Sequence, residues 1–327
     1  ARTSLGLTLA VGDKAVWLGP DDAAAVYQVR GDLMVLLHDP ACAEGAMGAT
    51  LNAIEAHAAR RGLRPVWYLC GGGVRAALAG RGYRSFHMGA EAVVDLGAFD
   101  LEAPALAYLR RAARHARSRG IDVGVLEPPI PARVLAGAAS LNDVWLASKG
   151  IGELRFSQGY PSAAYLGAFP LCVARDGCGR VVGFCNLLSA GACPEVMVDL
   201  ARAQRGLAWS LAHAVWVAGA LWARRAGYAR FNMGMAPLMD VGAGAGATWV
   251  ERLARRYASA GDGPIGERGL AQFKQMYRPN WEARYLCWRG AWRLPWVFWQ
   301  TTSMVLAMSE ADRRRIEAGR ASLGEAG

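Results

Sequence analysis

Residues 195–238 read EVMVDLARAQRGLAWSLAHAVWVAGALWARRAGYARFNMGMAPL, and this stretch decides the fold. Its opening, with Pro194, predicts a strand to Ala201, and RFNMGMAPL predicts a second strand from Arg230. Between them lies a long apolar segment, Leu207 to Arg224, closed by the turn Ala226-Gly227-Tyr228-Ala229. Strand, helix and strand in succession mark an α/β chain. The pattern places Asp199 at the end of the first strand. Arg202 and Arg205 fall in the basic turn after it, where the helix is expected to begin. A carboxylate and two guanidiniums at a helix N-terminus suit a ligand with both cationic and anionic groups. A structural ion pair at a strand–helix junction would account for the same residues equally well.

The 327 residues suffice for two ordinary domains or one large one, and 53% hydrophobic with 20% charged residues excludes a disordered chain. A net charge of +10 favours acidic partners: nucleic acid, anionic lipid or phosphorylated metabolites. All but three of the basic residues (Lys14, Lys149 and Lys274) are arginine, so compositional bias supplies part of that charge. Seven cysteines without a CxxC pair or a Cys/His cluster give no metal site and point to a reducing, cytosolic setting. Lacking an initiating Met and a signal peptide, the chain is expected to be a trimmed or soluble portion of something longer. The uncharged runs 206–223 and 294–309 sit at or below the roughly 20 residues of a membrane span. The first is expected to be a buried core helix.

Along the chain, residues 1–40 predict an antiparallel meander. Helical spacing follows from Glu44 to Arg61, then a strand in RPVWYLC, a short helix to Ala79, and paired strands in YRSFHMGAEAVVDL. Residues 104–120 predict a basic helix in which Arg110 and Arg114 face phosphates or solvent. After a helix over ARVLAGAASLNDVWLAS comes an irregular loop, KGIGELRFSQGYPS, whose Glu153, Arg155 and Phe156 resemble a working surface. A hairpin about Asp176–Gly179 precedes the stretch quoted above. Each half thus runs through similar elements, and a duplicated α/β unit is expected: 1–98, then 99–309, then a frayed tail over 310–327. Trp288, Trp292, Trp296 and Trp299 lie near helical spacing beside arginines, which suits either a membrane interface or a terminal helix on the core.

Lys274 stands out in an arginine-rich chain as a point charge for phosphate. Arg205-Gly206-Leu207-Ala208 keeps half of the pyrophosphate turn used by acyl-coenzyme-A-dependent N-acetyltransferases. No Ser-His-Asp order, HExxH, Walker A or dinucleotide fingerprint is present.

VDLARAQRG, the apolar helix, ARRAGYARFNMGMAPL and GLAQFKQMYRPNWEARYL together resemble the catalytic domain of the phosphatidylglycerol aminoacyltransferases, the multiple peptide resistance factor family. LLHDP, EAVVDL, LRRAARHARSRG, VLEPP, DVWLASKGIGELRFSQGY and LPWVFWQTTSMVLAM agree in the same order; residues 264–268 and the run 242–247 depart from the family pattern. The resemblance implies an α/β (α+β) fold of two tandem acetyltransferase-like (GNAT) units with mixed sheets. It also implies transfer of an amino acid, lysine or alanine, from aminoacyl-tRNA to a hydroxyl of phosphatidylglycerol. The partners would be aminoacyl-tRNA and an anionic membrane surface at the cytoplasmic face, with no cofactor beyond the tRNA co-substrate and no metal. Asp199, Arg202 and Lys274 would be catalytic. Glu153, Phe156, Arg205, Asn232, Arg110 and Arg114 would bind substrate. A small-molecule acceptor, a coenzyme-A-dependent N-acyltransferase and a non-catalytic lipid- or RNA-binding module are the alternatives.

Overall fold

The computed structural model describes residues 5–149, 153–189, 193–207, 209–243, 248–260, 267–290 and 294–306. The first half runs β1 (Ala15–Leu18), β2 (Ala24–Arg30), β3 (Leu33–Ala41), α1 (Met47–Arg60), β4 (Arg64–Cys70), α2 (Gly72–Ala79) and β5 (Tyr83–Asp95). Next come α3 (Ala107–Ser118), β6 (Asp122–Leu126), α4 (Ala132–Lys149) and the short α5 (Ala163–Gly167). The second half continues with β7 (Leu171–Arg175), β8 (Val181–Leu188), β9 (Glu195–Ala203), α6 (Leu211–Arg225) and β10 (Arg230–Pro237). It closes with α7 (Trp249–Ala260), α8 (Glu267–Gln275), β11 (Asn280–Arg289) and α9 (Leu294–Leu306).

Among the described residues eleven strands form one sheet, in the order β1-β2-β3-β4-β11-β5-β10-β9-β8-β7-β6. The two halves therefore share a sheet instead of building separate ones. They also exchange their last strands: β11 pairs with β4, and β5 pairs with β10. Within each half one helix joins two parallel strands, α1 between β3 and β4 and α6 between β9 and β10. This is the duplication that the order of elements predicts, and the fold is mixed α/β as expected.

Apolar spacing explains the layers. Helix α1 buries Leu51, Ile54 and Ala58 on one stripe. Helix α6 buries Leu211, Val215, Trp216, Val217, Ala220 and Ala223, so its uncharged run is a core helix as predicted. Among the described residues no helix is long and apolar enough to cross a membrane. One face of the sheet carries a core that spans both halves, with Val35, Leu37 and Phe86 beside Leu171, Phe184 and Leu188. Phe156, Tyr165 and α9 residues Val297 and Met304 cover it. The other face carries two cores, one under α1 and α2 and one under α3 and α6.

Three expectations are corrected. YRSFHMGAEAVVDL is a single long strand, β5, instead of a pair; an irregularity in its pairing with β11 beside Gly89 (φ 139°) lets it bend without breaking. Strand β9 runs through Ala203, so Asp199 lies within it, and Arg202 is a strand residue instead of a turn residue. Helix α6 starts at Leu211, so the half-matched pyrophosphate turn does not open a helix. The tail 310–327 and residues 244–247 and 261–266 lie outside the described residues.

Candidate functional site

The site grows from the place where β9 and β10 part. They pair in parallel at Glu195–Arg230, Val196–Phe231 and Met197–Asn232, and no further. Just beyond, each strand carries a bulge against its other neighbour. In β9, Asp199 and Leu200 lie opposite the single residue Asn186 of β8. The Asn186 Oδ1 accepts the Leu200 N–H at 2.7 Å. In β10, Met233 and Gly234 lie opposite Ala92 of β5. The Asn232 Oδ1 accepts the Gly234 N–H at 2.8 Å, and Gly234 adopts φ 75°, a conformation that suits glycine. A bulge leaves backbone groups without ladder partners and re-aims the side chains beside it. Asparagine meets the freed N–H in both strands.

The β9 bulge turns Asp199 toward the loop ahead of α5. Its Oδ2 accepts the Tyr165 hydroxyl at 2.7 Å and the Gly159 N–H at 2.9 Å. Loss of hydration raises the Asp199 carboxyl above its ordinary range, against the pull of those two hydrogen bonds. Tyr165 is fully buried, and burial together with the Asp199 charge holds its phenol well above the ordinary value. The carboxylate and phenol therefore share one well-defined hydrogen bond, with the proton on the phenol.

Arg202 follows on the same strand. Its Nε donates to Asn142 Oδ1 at 2.9 Å, and its guanidinium lies 4.2 Å over the Trp145 ring, both on α4. Asn142 Nδ2 in turn donates to Glu153 Oε1 at 2.6 Å. All three polar residues are buried. Desolvation lowers the Arg202 pKa, while Glu153 and Asp199 oppose it by charge. Asn142 thus bridges Arg202 and Glu153, and the charges of Glu153 and Asp199 both act on Arg202.

The β10 bulge is held by Lys274 of α8, which donates through Nζ to the Gly234 and Met235 carbonyls at 2.9 and 2.7 Å. A side chain starting at Gly234 would begin 3.5 Å from the Val198 carbonyl oxygen and 3.9 Å from Lys274 Nζ. Gly234 is thus enclosed between the β9 backbone at Val198 and the Lys274 amine. Burial lowers the Lys274 pKa to about 7, although the nearby Glu91 carboxylate pulls it upward. An amine that titrates near neutrality can take or give a proton there. Glu91 accepts from Arg284 at 2.7 Å and from Asn232 at 3.1 Å, and its other oxygen lies 3.4 Å from His38 Nε2. Burial pushes its carboxyl up, but the charges and hydrogen bonds of His38 and Arg284 outweigh this and hold it well below the carboxylate range.

The remaining expected residues lie elsewhere. Arg205 is exposed and lines an open groove of about 890 Å3 between α4 and the β7–β8 hairpin, with Arg133, Arg175 and Arg180. Phe156 is wholly buried edge-on to Tyr68, at 5.6 Å between ring centres, so it packs the loop instead of facing a ligand. Arg110 and Arg114 line a separate groove of about 640 Å3 beside α6, on the opposite face of the sheet, and Arg110 is held by the Leu101 carbonyl at 2.7 Å. Sequence reading passed over Tyr165, Asn142 and Glu91. Glu91 had a signal, a lone carboxylate within the apolar run AEAVV. Tyr165 and Asn142 had none. Among the described residues no group of His, Cys, Asp and Glu is arranged to hold a metal ion.

A duplicated α/β sheet with exchanged end strands and two adjacent bulged strands defines the class. The family it falls in is given by sequence: residues 1–288 match the family described as "Phosphatidylglycerol lysyltransferase, C-terminal". The chain belongs to that family. Phosphatidylglycerol lysyltransferase of Staphylococcus aureus (strain MRSA252) is 29% identical over 296 residues, 90% of this chain and 34% of the relative. Its counterpart in Staphylococcus epidermidis is 28% identical over 86% of this chain. The chain thus spans about a third of the length of these relatives. Two solved structures align over nearly the whole chain. One is the C-terminal DUF2156 domain assigned to a lysylphosphatidylglycerol synthetase of Agrobacterium fabrum, with TM-score 0.81, 25% identity and 95% and 94% coverage of the two chains. The other is L-PGS from Bacillus licheniformis, with TM-score 0.78, 27% identity and 94% coverage of each. FemX shares the fold, with TM-score 0.58 at 10% identity, over 90% of this chain and 93% of that one.

Proposed function

We propose that this chain transfers an aminoacyl group from aminoacyl-tRNA to a glycerol hydroxyl of phosphatidylglycerol, with lysine as the first amino acid to test. The observation that carries this is family membership over residues 1–288, joined to a buried lysine whose pKa is lowered to about 7 at the β10 bulge and a carboxylate–phenol pair at the bulge of the neighbouring strand β9. The donor is already an activated ester, so no nucleotide is consumed. The lipid hydroxyl oxygen attacks the ester carbonyl carbon, a new ester bond forms, and the tRNA ribose oxygen leaves with a proton. Lys274, as the neutral amine, takes the hydroxyl proton and returns it to the leaving oxygen. Asp199, oriented by Tyr165 and the Gly159 N–H, holds the α-ammonium of the aminoacyl group. Arg202, fixed by Asn142 and Trp145, places a permanent positive charge near the developing oxyanion or a phosphate. Glu153 acts through Asn142 to hold that arginine. The site would work at the cytoplasmic face of a membrane, with charged tRNA and anionic lipid as its partners.

The test is transfer of radiolabelled amino acid from charged tRNA to phosphatidylglycerol vesicles, with lysine, alanine, arginine and ornithine donors compared. A labelled lipid from one donor is the expected result. No labelled lipid from any donor, with folded protein, would overturn the lipid acceptor and leave a small-molecule acceptor to be sought.

A further inference from the structure

Two helices that pack on the same core carry large apolar side chains outward. On α7, Trp249 is 74% and Leu253 57% exposed; on α9, Trp299 is 69% and Trp296 47% exposed. Their inner faces converge on one core, since Val250 of α7 and Leu294 and Phe298 of α9 pack against the same cluster. Both also meet neighbouring residues of β5. Phe298 lies edge-on to Phe86 at 5.0 Å, and Glu251 accepts the His87 N–H at 2.8 Å. Exposed Arg252 and Arg256 lie on the same stripe of α7 as Trp249 and Leu253, by the i, i+3, i+4, i+7 spacing. A folded chain gains nothing in water by showing three tryptophans and a leucine. Indole rings flanked by arginine match the boundary of a bilayer, where rings lie at headgroup depth and guanidiniums meet lipid phosphates.

We infer that the outer faces of α7 and α9 form a docking surface for an anionic phospholipid bilayer. This rests on the lipid-acceptor reading above and gives it a place on the molecule. Charge decides for the bilayer over a second copy of the chain, because a symmetric contact would bring the α7 arginines of both copies together. The surface is also continuous with the site. The Val305 carbonyl of α9 accepts the Arg155 N–H at 2.7 Å. Arg155 belongs to the loop that carries Glu153 and the Gly159 N–H bound to Asp199.

Vesicle co-sedimentation tests the surface without reference to catalysis. The chain is spun with vesicles of phosphatidylglycerol and phosphatidylcholine, and with phosphatidylcholine alone. It is compared with the variant Trp249→Ala, Leu253→Ala, Trp296→Ala, Trp299→Ala, whose altered side chains all face solvent. The expected result is binding to the anionic vesicles that falls about tenfold or more in the variant, with an unchanged melting temperature. Transfer to vesicle lipid falls with it, while transfer to short-chain phosphatidylglycerol dispersed in detergent persists. If the wild-type chain transfers to neither form, the lipid-acceptor reading fails, and sedimentation still decides the surface. Equal vesicle binding by the two proteins would overturn the inference. So would a wild-type dimer that the variant loses, in ultracentrifugation, while vesicle binding stays the same.

Discussion

In the first half of the molecule β3 and β4 pair over five residues, Leu33–Arg64 to Leu37–Tyr68, before they part; in the second, β9 and β10 pair over three and part after Met197–Asn232. The two junctions are built alike. Each outer strand bulges just past its pairing, at His38–Pro40 opposite Ala25 and at Asp199–Leu200 opposite Asn186. Each inner strand bulges against an exchanged strand, at Tyr68–Leu69 opposite Leu286 and at Met233–Gly234 opposite Ala92. The second residue of each inner bulge has a positive φ, 61° at Leu69 and 75° at Gly234. The occupants differ. Trp67 and Leu69 fill the first junction where Asn232 and Gly234 stand in the second, and both first-half residues are buried. Asp39 accepts the Gly71 N–H at 2.8 Å, much as Asp199 accepts that of Gly159, yet no buried lysine faces it among the described residues. The first junction combines the apolar Trp67 and Leu69 with the buried His38–Glu91–Arg284 network; the second has a carboxylate and phenol at its outer bulge and an amine at its inner one. On the proposed function, one geometry serves support in one half and chemistry in the other.

The contrast breaks most sharply at Lys274. Lys274→Ala is expected to lower transfer by about 10²–10⁴-fold, the usual range for losing a proton-transfer group. Circular dichroism and melting check that the fold persists. The same residue sets a pH signature. Its folded pKa of about 7 lies below the ordinary lysine value of 10.5, so the unfolded chain binds the extra proton between those limits. Lys274 therefore weakens the fold most below about pH 7, and this cost fades as pH rises toward about 10.5. Lys274→Met should show its largest gain in stability at the acid end, measured by urea titration across pH. The kcat/KM of the wild-type chain should rise with pH through about 7, as the neutral amine forms.

Tyr165→Phe removes the phenol from Asp199. Transfer should fall about tenfold, with a stability loss of about 1–2 kcal/mol, because a buried acceptor loses a partner. A stability loss with transfer unchanged would make Tyr165 a packing residue. The smallest effect is expected at the bulges themselves. Gly234→Ala should cost about 1–2 kcal/mol for its left-handed backbone, read as a lower melting temperature.

The order of elements revealed the duplication because periodicity and turn residues are local. The core character of α6 was legible for the same reason, in its uncharged run. The exchange of β5 and β11 was not, since no local pattern says which strand an end strand will join. Asp199, Arg202 and Lys274 stood out as charges amid apolar strands or as the rare lysine. Their setting was misread because an arginine inside a strand looks like a turn until Asn142 and Trp145, some sixty residues earlier, are seen to bury it. Phe156 drew attention through its polar neighbours, whereas the ring itself belongs to the core. Tyr165 became visible only in three dimensions, since nothing in GYPSAAYLG distinguishes a phenol that binds a carboxylate from one that packs.

The most direct test compares Asp199→Asn with Asp39→Asn in transfer from charged tRNA to phosphatidylglycerol, each normalised to folded protein. The account predicts that Asp199→Asn loses activity by about a hundredfold or more while Asp39→Asn keeps its rate and loses only about 1 kcal/mol of stability. Equal losses of rate, or a greater loss in Asp39→Asn, would contradict a working second junction supported by a structural first one.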